Sequence, residues 1–300
     1  MTTRRQPGIL TGMPFMANLA ARTFVDDMGR KLFLSQAPRR IVSLAPSVTE
    51  MLYAIGAGNQ VVAVTGLCDF PLEVSSKPKV GQLSANLETL VALQPDLVIA
   101  PHGFLSAEVL EQFERLKLPL LLLRAQSVDD IFRHITTLGR LLNQSKMANE
   151  LAAELRARLK RIKANTQGRP SPRVLYVLNM EPLITVGPGT FIQHVIEMAG
   201  GSNIARDAVT EYPRLSMETV LARNPDVLVF PTGETEGIPE SDRLAWRRWP
   251  TLSAVQSGRF IDIPSVLLDR PGPRLLDGLE RLARALHPDA FPEATLSGQP

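Results

Sequence analysis

A sixteen-residue stretch at 86–101 returns 130 positions later at 216–231, with six positions identical. The copies read Asn-Leu-Glu-Thr-Leu-Val-Ala-Leu-Gln-Pro-Asp-Leu-Val-Ile-Ala-Pro and Ser-Met-Glu-Thr-Val-Leu-Ala-Arg-Asn-Pro-Asp-Val-Leu-Val-Phe-Pro. Each opens on a helix-capping side chain, Asn86 or Ser216, runs through a short helix and breaks at Pro-Asp. Each then closes in an apolar run that reads as a buried strand. A fainter likeness lies upstream, where Arg40-Ile-Val-Ser-Leu44 resembles Arg173-Val-Leu-Tyr-Val177. Gly56-Ala57-Gly58-Asn59 likewise resembles Gly200-Gly201-Ser202-Asn203. Two halves that each alternate strand and helix predict an α/β chain of two similar lobes with mainly parallel sheets.

Between the copies, Ile131, Ile135, Leu138 and Leu142 recur at helical spacing, and Leu151, Leu155, Leu159 and Ile162 continue it after a candidate cap at Ser145. The second run predicts a single long connecting helix over 145–168, about 30 Å in length and stiffer than a loop. The expected organisation is a leader or tail at 1–21, a first lobe at 22–144, the connecting helix, a second lobe at 169–292 and a tail at 293–300. At roughly 150 residues per domain, 300 residues suit this division. A last amphipathic helix is expected around Leu275, Leu276, Leu279, Leu282 and Leu286, stopped by Pro288.

Charge and cysteine usage narrow the function. The net charge of +3 is too small to argue for nucleic acid, and aromatics at 5% are too sparse for base stacking. Residues 1–40 carry +5 and residues 145–173 carry +6, so the remainder is mildly acidic at −8. The lone Cys68 excludes an internal disulfide framework and multi-cysteine metal sites. No apolar run approaches the roughly 20 residues of a membrane span. Arg4-Arg5, an apolar stretch at 9–19 and Ala20-Ala21 have the layout of an export signal, but Pro7, Gly12 and Pro14 interrupt it. A simple tail is the other reading.

Hydrolase, zinc-protease and P-loop motifs are missing, and His102, His134, His194 and His287 lie far apart in sequence. His134 and His194 fall within helical patterns, where a structural role is the ordinary one. In sheets of this kind ligands collect at loops after the carboxyl ends of strands. Those loops offer Ser47, Cys68, Asp69, Gln82, His102 and Phe104 in the first half, and Asn179, Glu181, Thr232 and Arg270 in the second. Arg270 suits a carboxylate or phosphate, and His102 suits a metal-containing ligand, although a solvated turn histidine also fits. Cys68 could serve as a soft ligand, but a lone cysteine is more often a small buried residue. The 187–190 turn resembles an anion loop without the lysine, which favours a plain strand-to-helix connection. Glu88 and Glu218 occupy equivalent places in the repeat. Helix-dipole complementation accounts for each, and so does a pair of acidic knobs facing a two-fold partner.

Several stretches together resemble the class III substrate-binding proteins of ABC importers, whose members bind cobalamin, haem or iron–siderophores. They are Phe24-Val-Asp-Asp-Met-Gly-Arg30, Pro38-Arg-Arg-Ile-Val-Ser-Leu-Ala-Pro-Ser-Val-Thr-Glu50, Cys68-Asp-Phe-Pro71, Asn86-Leu-Glu88, Leu93-Gln-Pro-Asp-Leu-Val98 and Ala199-Gly-Gly-Ser-Asn203. Arg270-Pro-Gly-Pro-Arg274 looks most like the cobalamin-binding branch. The likeness spans 22–291. It implies two lobes on a connecting helix, limited closure, a monomer, and cargo held in the cleft for a membrane permease dimer. It also implies that Glu88 and Glu218 dock on permease arginines. Expected cargo is cobalamin or another corrinoid first, then an iron–siderophore or haem, with no enzymatic cofactor. The family implies a periplasmic or cell-surface location, while the weak leader leaves a cytoplasmic one open. Leu67 and Gln82 stand where a cobalamin binder carries aromatic side chains, and Trp246 and Trp249 are the available aromatic surface in the second lobe. The alternative is a cytoplasmic two-lobed enzyme, such as a metal chelatase or sugar-nucleotide transferase, with His102 and Asp69 or Glu181 as its acid–base groups.

Overall fold

The computed structural model describes residues 22–81, 86–233 and 237–291; the leader at 1–21, Gln82 and the tail at 293–300 lie outside them. A hairpin of β1 (Arg22–Val25) and β2 (Lys31–Leu34) precedes the first lobe. That lobe runs β3 (Ile41–Ser43), α1 (Pro46–Ala54), β4 (Val61–Val64), α2 (Leu87–Ala92), β5 (Leu97–Pro101), α3 (Ala107–Arg115) and β6 (Leu120–Leu123). Then come α4 (Val128–Leu141) and α5 (Ser145–Thr166). The second lobe runs β7 (Arg173–Tyr176), a short hairpin of β8 (Asn179–Met180) and β9 (Leu183–Ile184), α6 (Phe191–Met198) and β10 (Ser202–Asn203). It continues through α7 (Met217–Arg223), β11 (Val227–Thr232), α8 (Glu240–Ala245), α9 (Ser253–Gln256), β12 (Phe260–Pro264), α10 (Ser265–Leu268) and α11 (Leu275–Leu286).

The two four-stranded sheets are parallel and share one topology, β4-β3-β5-β6 in the first lobe and β10-β7-β11-β12 in the second. The repeat is therefore structural, and its chemistry is visible residue by residue. Asn86 and Ser216 cap α2 and α7, each accepting from a backbone N–H three residues on, at 3.0 and 3.2 Å. Gln94 and Asn224 end these helices in the left-handed region, with φ of 44° and 41°. The aspartates of the two Pro-Asp breaks then tie each helix to the start of its sheet. Asp96 accepts from the backbone N–H groups of Arg39 and Arg40, and Asp226 accepts from that of Arg173 at 2.8 Å. The guanidinium groups of Arg40 and Arg173 reach back to the carbonyls of Leu93 and Arg223 at the helix ends.

Both faces of each sheet are covered, so the central strands are mostly apolar and buried along nearly all of their length. One continuous core joins the inner faces of both sheets through α1, α4, α5, α6 and α11, while separate outer cores lie under α2 and α3 and around Trp246. Ser145 is the first residue of α5 rather than its cap; Gln144 holds the cap position without a side-chain bond. The helix packs on α4, where Gly139 leaves no room for a Cβ beside Ala148. It is also ion-paired to α11 through Arg158 with Asp277 and Glu280, at 2.5 and 2.8 Å. One helix thus grips an element of each lobe.

Candidate functional site

The carboxyl ends of the two sheets face each other across a cavity of about 320 Å³. The first lobe supplies the turn into α1 with Ser47, Val48 and Met51, the end of β5 with Pro101 and His102, and the residues after β6, Arg124 and Gln126. The second lobe supplies Gly189, Thr190, Phe191, Glu211, Tyr212, Asp269 and Arg270. Apolar residues and polar or charged ones line it in about equal number, so several polar groups converge on one concave space, as a ligand site requires.

Ion pairs span the cleft on two sides. On one, Arg270 donates to Asp69 at 2.6 Å, and Arg274 makes two bonds to the buried carboxylate of Glu50 at 3.0 and 2.5 Å. The Arg274 guanidinium also lies 4.1 Å from the centre of the Phe70 ring. On the other side, Arg124 donates to Glu211 at 2.8 Å, and Gln126 reaches the Gly189 carbonyl at 3.4 Å. Gly189 has φ +82°, a left-handed conformation that favours glycine.

The cavity floor is held by Asp27 from the N-terminal hairpin. Its carboxylate accepts from the Arg124 backbone N–H at 2.7 Å, lies 2.6 Å from His134 Nε2 and is bonded by Arg133. Burial works to raise its pKa, but the bonds from His134, Arg133 and Arg124 outweigh it and hold the carboxyl far below the usual range. Beneath the opposite wall the Tyr176 hydroxyl donates to Asp269 at 2.5 Å. Full burial and the Asp269 charge push that phenol well above its ordinary value. Tyr212, 51% exposed and beside Glu211, is raised in the same direction by burial and by the neighbouring carboxylates.

Of the residues expected from sequence, Ser47, His102 and Arg270 line this cavity, and Asp69 meets it through Arg270. Cys68 is buried in the first lobe, its sulfur 3.2 Å from the hydroxyls of Thr49 and Thr65. Phe104 packs on the outer core of that lobe. The Asn179 amide closes the β8–β9 turn by donating to the Pro182 carbonyl at 2.8 Å, and Thr232 ends β11 outside the cavity lining. Glu181 lines a second cavity of about 240 Å³ with Trp246 and Trp249. Trp246 is buried in its own lobe, its N–H directed at the Met180 sulfur. The 187–190 turn serves as a connection whose Thr190 caps α6.

Sequence reasoning missed Arg124, Glu211, Tyr212 and the role of His134. Arg124 was accessible to the strand-end rule, since it directly follows β6. Glu211 and Tyr212 lie in an irregular segment with no local signal. His134 sits in a helical pattern, as read, but its ring contributes to the cavity floor.

Glu88 and Glu218 are exposed second residues of α2 and α7. The far ends of these helices contact the strand starts through Arg40 and Arg173. The Asn86 end joins the Val80 carbonyl, beside the last residue of β4. The α7 entry joins β9 through Leu215 and Leu183. Both glutamates therefore stand on the helix ends that lie away from the strand starts.

A family model described as "Periplasmic binding protein" matches residues 41–267. An ABC transporter substrate-binding lipoprotein of Bacillus subtilis is 31% identical over 278 residues, covering 90% of this chain and 87% of its own. A vitamin B12-binding protein of Vibrio parahaemolyticus is 31% identical, covering 80% of this chain and 86% of its own. Among solved structures, the periplasmic vitamin B12 binding protein BtuF of Vibrio cholerae superposes with a TM-score of 0.75 at 29% identity, covering 85% of this chain and 98% of its own. The periplasmic heme-binding protein RhuT of Roseiflexus gives 0.74 at 26% identity, covering 84% and 99%.

Proposed function

We propose that this chain, which belongs to the periplasmic binding protein family and is a substrate-binding protein of an ABC importer, takes a metal chelate into the cleft between its lobes. The chemical task is selective binding and release, with no bond made or broken. The observation that carries this reading is the cavity itself. Ser47, His102 and Arg270 converge there from two lobes of one topology, in a lining of mixed polar and apolar residues. A corrinoid is the first candidate cargo, and an iron–siderophore or haem the next; relatives named for vitamin B12 and for heme both resemble this chain closely. Cargo of that size needs more room than about 320 Å³, so binding goes with a wider cleft.

Delivery is proposed to use Glu88 and Glu218, one exposed carboxylate at the rim of each lobe, against basic residues of a two-fold permease. The chain acts as a monomer in this scheme, outside the cytoplasmic membrane, as its periplasmic and lipoprotein relatives suggest. The deciding experiment is calorimetric titration of the purified protein with cyanocobalamin, with haem and a ferric siderophore in parallel. Saturable one-to-one binding of any one supports the reading and names the cargo. Silence in all three overturns it.

A further inference from the structure

The second cavity, of about 240 Å³, lies wholly in the second lobe and shares no lining residue with the cleft. Its apolar wall comes from three segments: Met180 and Leu183 of the β8–β9 hairpin, Leu215 and Met217 at the entry to α7, and Trp246 and Trp249 after α8. These segments are tied to one another. The Leu215 N–H donates to the Leu183 carbonyl at 3.0 Å, and the Trp246 indole N–H points at the Met180 sulfur at 3.2 Å. Trp246 also packs on Phe230 with ring centres 6.4 Å apart, and the Trp249 N–H donates to the Trp246 carbonyl at 3.0 Å. Met180, Leu215, Met217 and Trp249 are only half-buried, which leaves apolar surface open to solvent. The charged lining residues, Glu181 and Arg248, are exposed. Glu218 follows Met217 in α7. Its own backbone N–H and the Ser216 side chain draw its carboxylate to the start of that helix and hold it below the usual carboxylate range.

We propose that this cavity is an anchor pocket for the permease: it takes one large apolar or aromatic side chain from a permease segment whose neighbouring basic residue meets Glu218. This rests on delivery through Glu218 and adds an apolar contact that a carboxylate cannot supply. Size is the first argument. An apolar cavity of about 150 Å³ already holds a benzene ring, so this one accepts a leucine or phenylalanine side chain and excludes a tetrapyrrole. Continuity is the second, since Met217 lines the cavity and the next residue in the same helix is the docking carboxylate. Charge is the third. Glu181 and Glu218 stand against one guanidinium, Arg248, a balance that favours a basic partner segment. An exposed ion pair at a rim contributes little by itself and fades with salt, whereas a side chain buried in a preformed pocket beside it carries the larger share of an interface's energy. Because the walls are already tied to one another, little ordering is left to be done on docking.

The test is the concentration of binding protein that half-maximally stimulates the importer's ATPase in proteoliposomes. Met217→Trp and Leu215→Phe fill the pocket, Trp249→Ala removes a wall, Trp249→Phe keeps it, and Glu218→Lys reverses the docking charge. Thermal melts confirm which variants fold, and two independent fillers keep the test open if one does not. The expected result is a rise of about tenfold or more for each filler and for Trp249→Ala, with Trp249→Phe close to wild type. In high salt the loss from Glu218→Lys should shrink while the loss from the fillers persists, a split that general damage to the lobe would not produce. Fillers and Trp249→Ala that fold and stimulate like wild type, beside an impaired Glu218→Lys, overturn the inference and leave docking through the carboxylate standing. Saturable binding of indole that blocks the pocket without changing stimulation also overturns it, reassigning the cavity to a small ligand. If neither the pocket variants nor Glu218→Lys alter stimulation, the inference and the docking reading fall together.

Discussion

Asp96 and Asp226 show what the repeat conserves physically. Each is a carboxylate accepting from the backbone at the start of its sheet, where the N–H groups have no strand partner. Asp96→Ala should lower stability by about 1–2 kcal/mol, read from urea unfolding, because two charge-assisted bonds are lost at an exposed edge. Asp27 does similar work under the cavity, with consequences for pH. Its folded pKa lies below the unfolded value of about 3.9. Its contribution is thus fully present above that value and is lost as pH falls toward the folded one. Unfolding curves collected at successive pH values should show stability dropping below about pH 4, and Asp27→Asn should flatten that drop.

The helix pair α4–α5 is built around a residue without a side chain. A Cβ on Gly139 would come within 2.2 Å of the Ala148 Cβ, far inside contact distance. Gly139→Ala should force the helices apart and cost about 1–3 kcal/mol, measurable as a lower Tm. Through Arg158 the strain would reach α11 and the second lobe. The reading of Ser145 as a cap failed for a local reason. A serine at the start of an apolar-periodic run looks the same in sequence whether it stands just outside the helix or just inside it, and the backbone at Gln144 decides which.

For the whole molecule, the lobes are held both by a shared core and by charge across the cleft. Glu50 is 3% exposed and its two bonds come from Arg274 of the other lobe. Arg274→Ala leaves a buried carboxylate without its main partner and should cost about 3–5 kcal/mol, read from denaturant unfolding. The proposed docking through Glu88 and Glu218 belongs to this scale as well. Charge reversal of Glu88 or Glu218 alone should weaken stimulation of the permease's ATPase in proteoliposomes, and reversal of both should abolish it. Cargo affinity should stay unchanged, since neither residue lines the cavity. High salt should mimic the single reversals, as it does for exposed charges at an interface rim.

The duplicated α/β frame was legible in the residues themselves. Caps, Pro-Asp breaks and apolar strand runs are local signals, set by backbone chemistry within a few positions, and they recur at a fixed offset that marks two lobes. The same rule about strand ends brought Ser47, His102 and Arg270 to one cavity. It could not separate them from Cys68 or Phe104, which share those loops, because which way a loop side chain turns depends on what packs against it. Glu211 meeting Arg124, Asp69 meeting Arg270 and Asp27 bracing His134 join residues 87, 201 and 107 positions apart. Local patterning carries no record of such pairs. They exist only where the shared core sets the distance between the lobes, and that distance is fixed by tertiary packing alone.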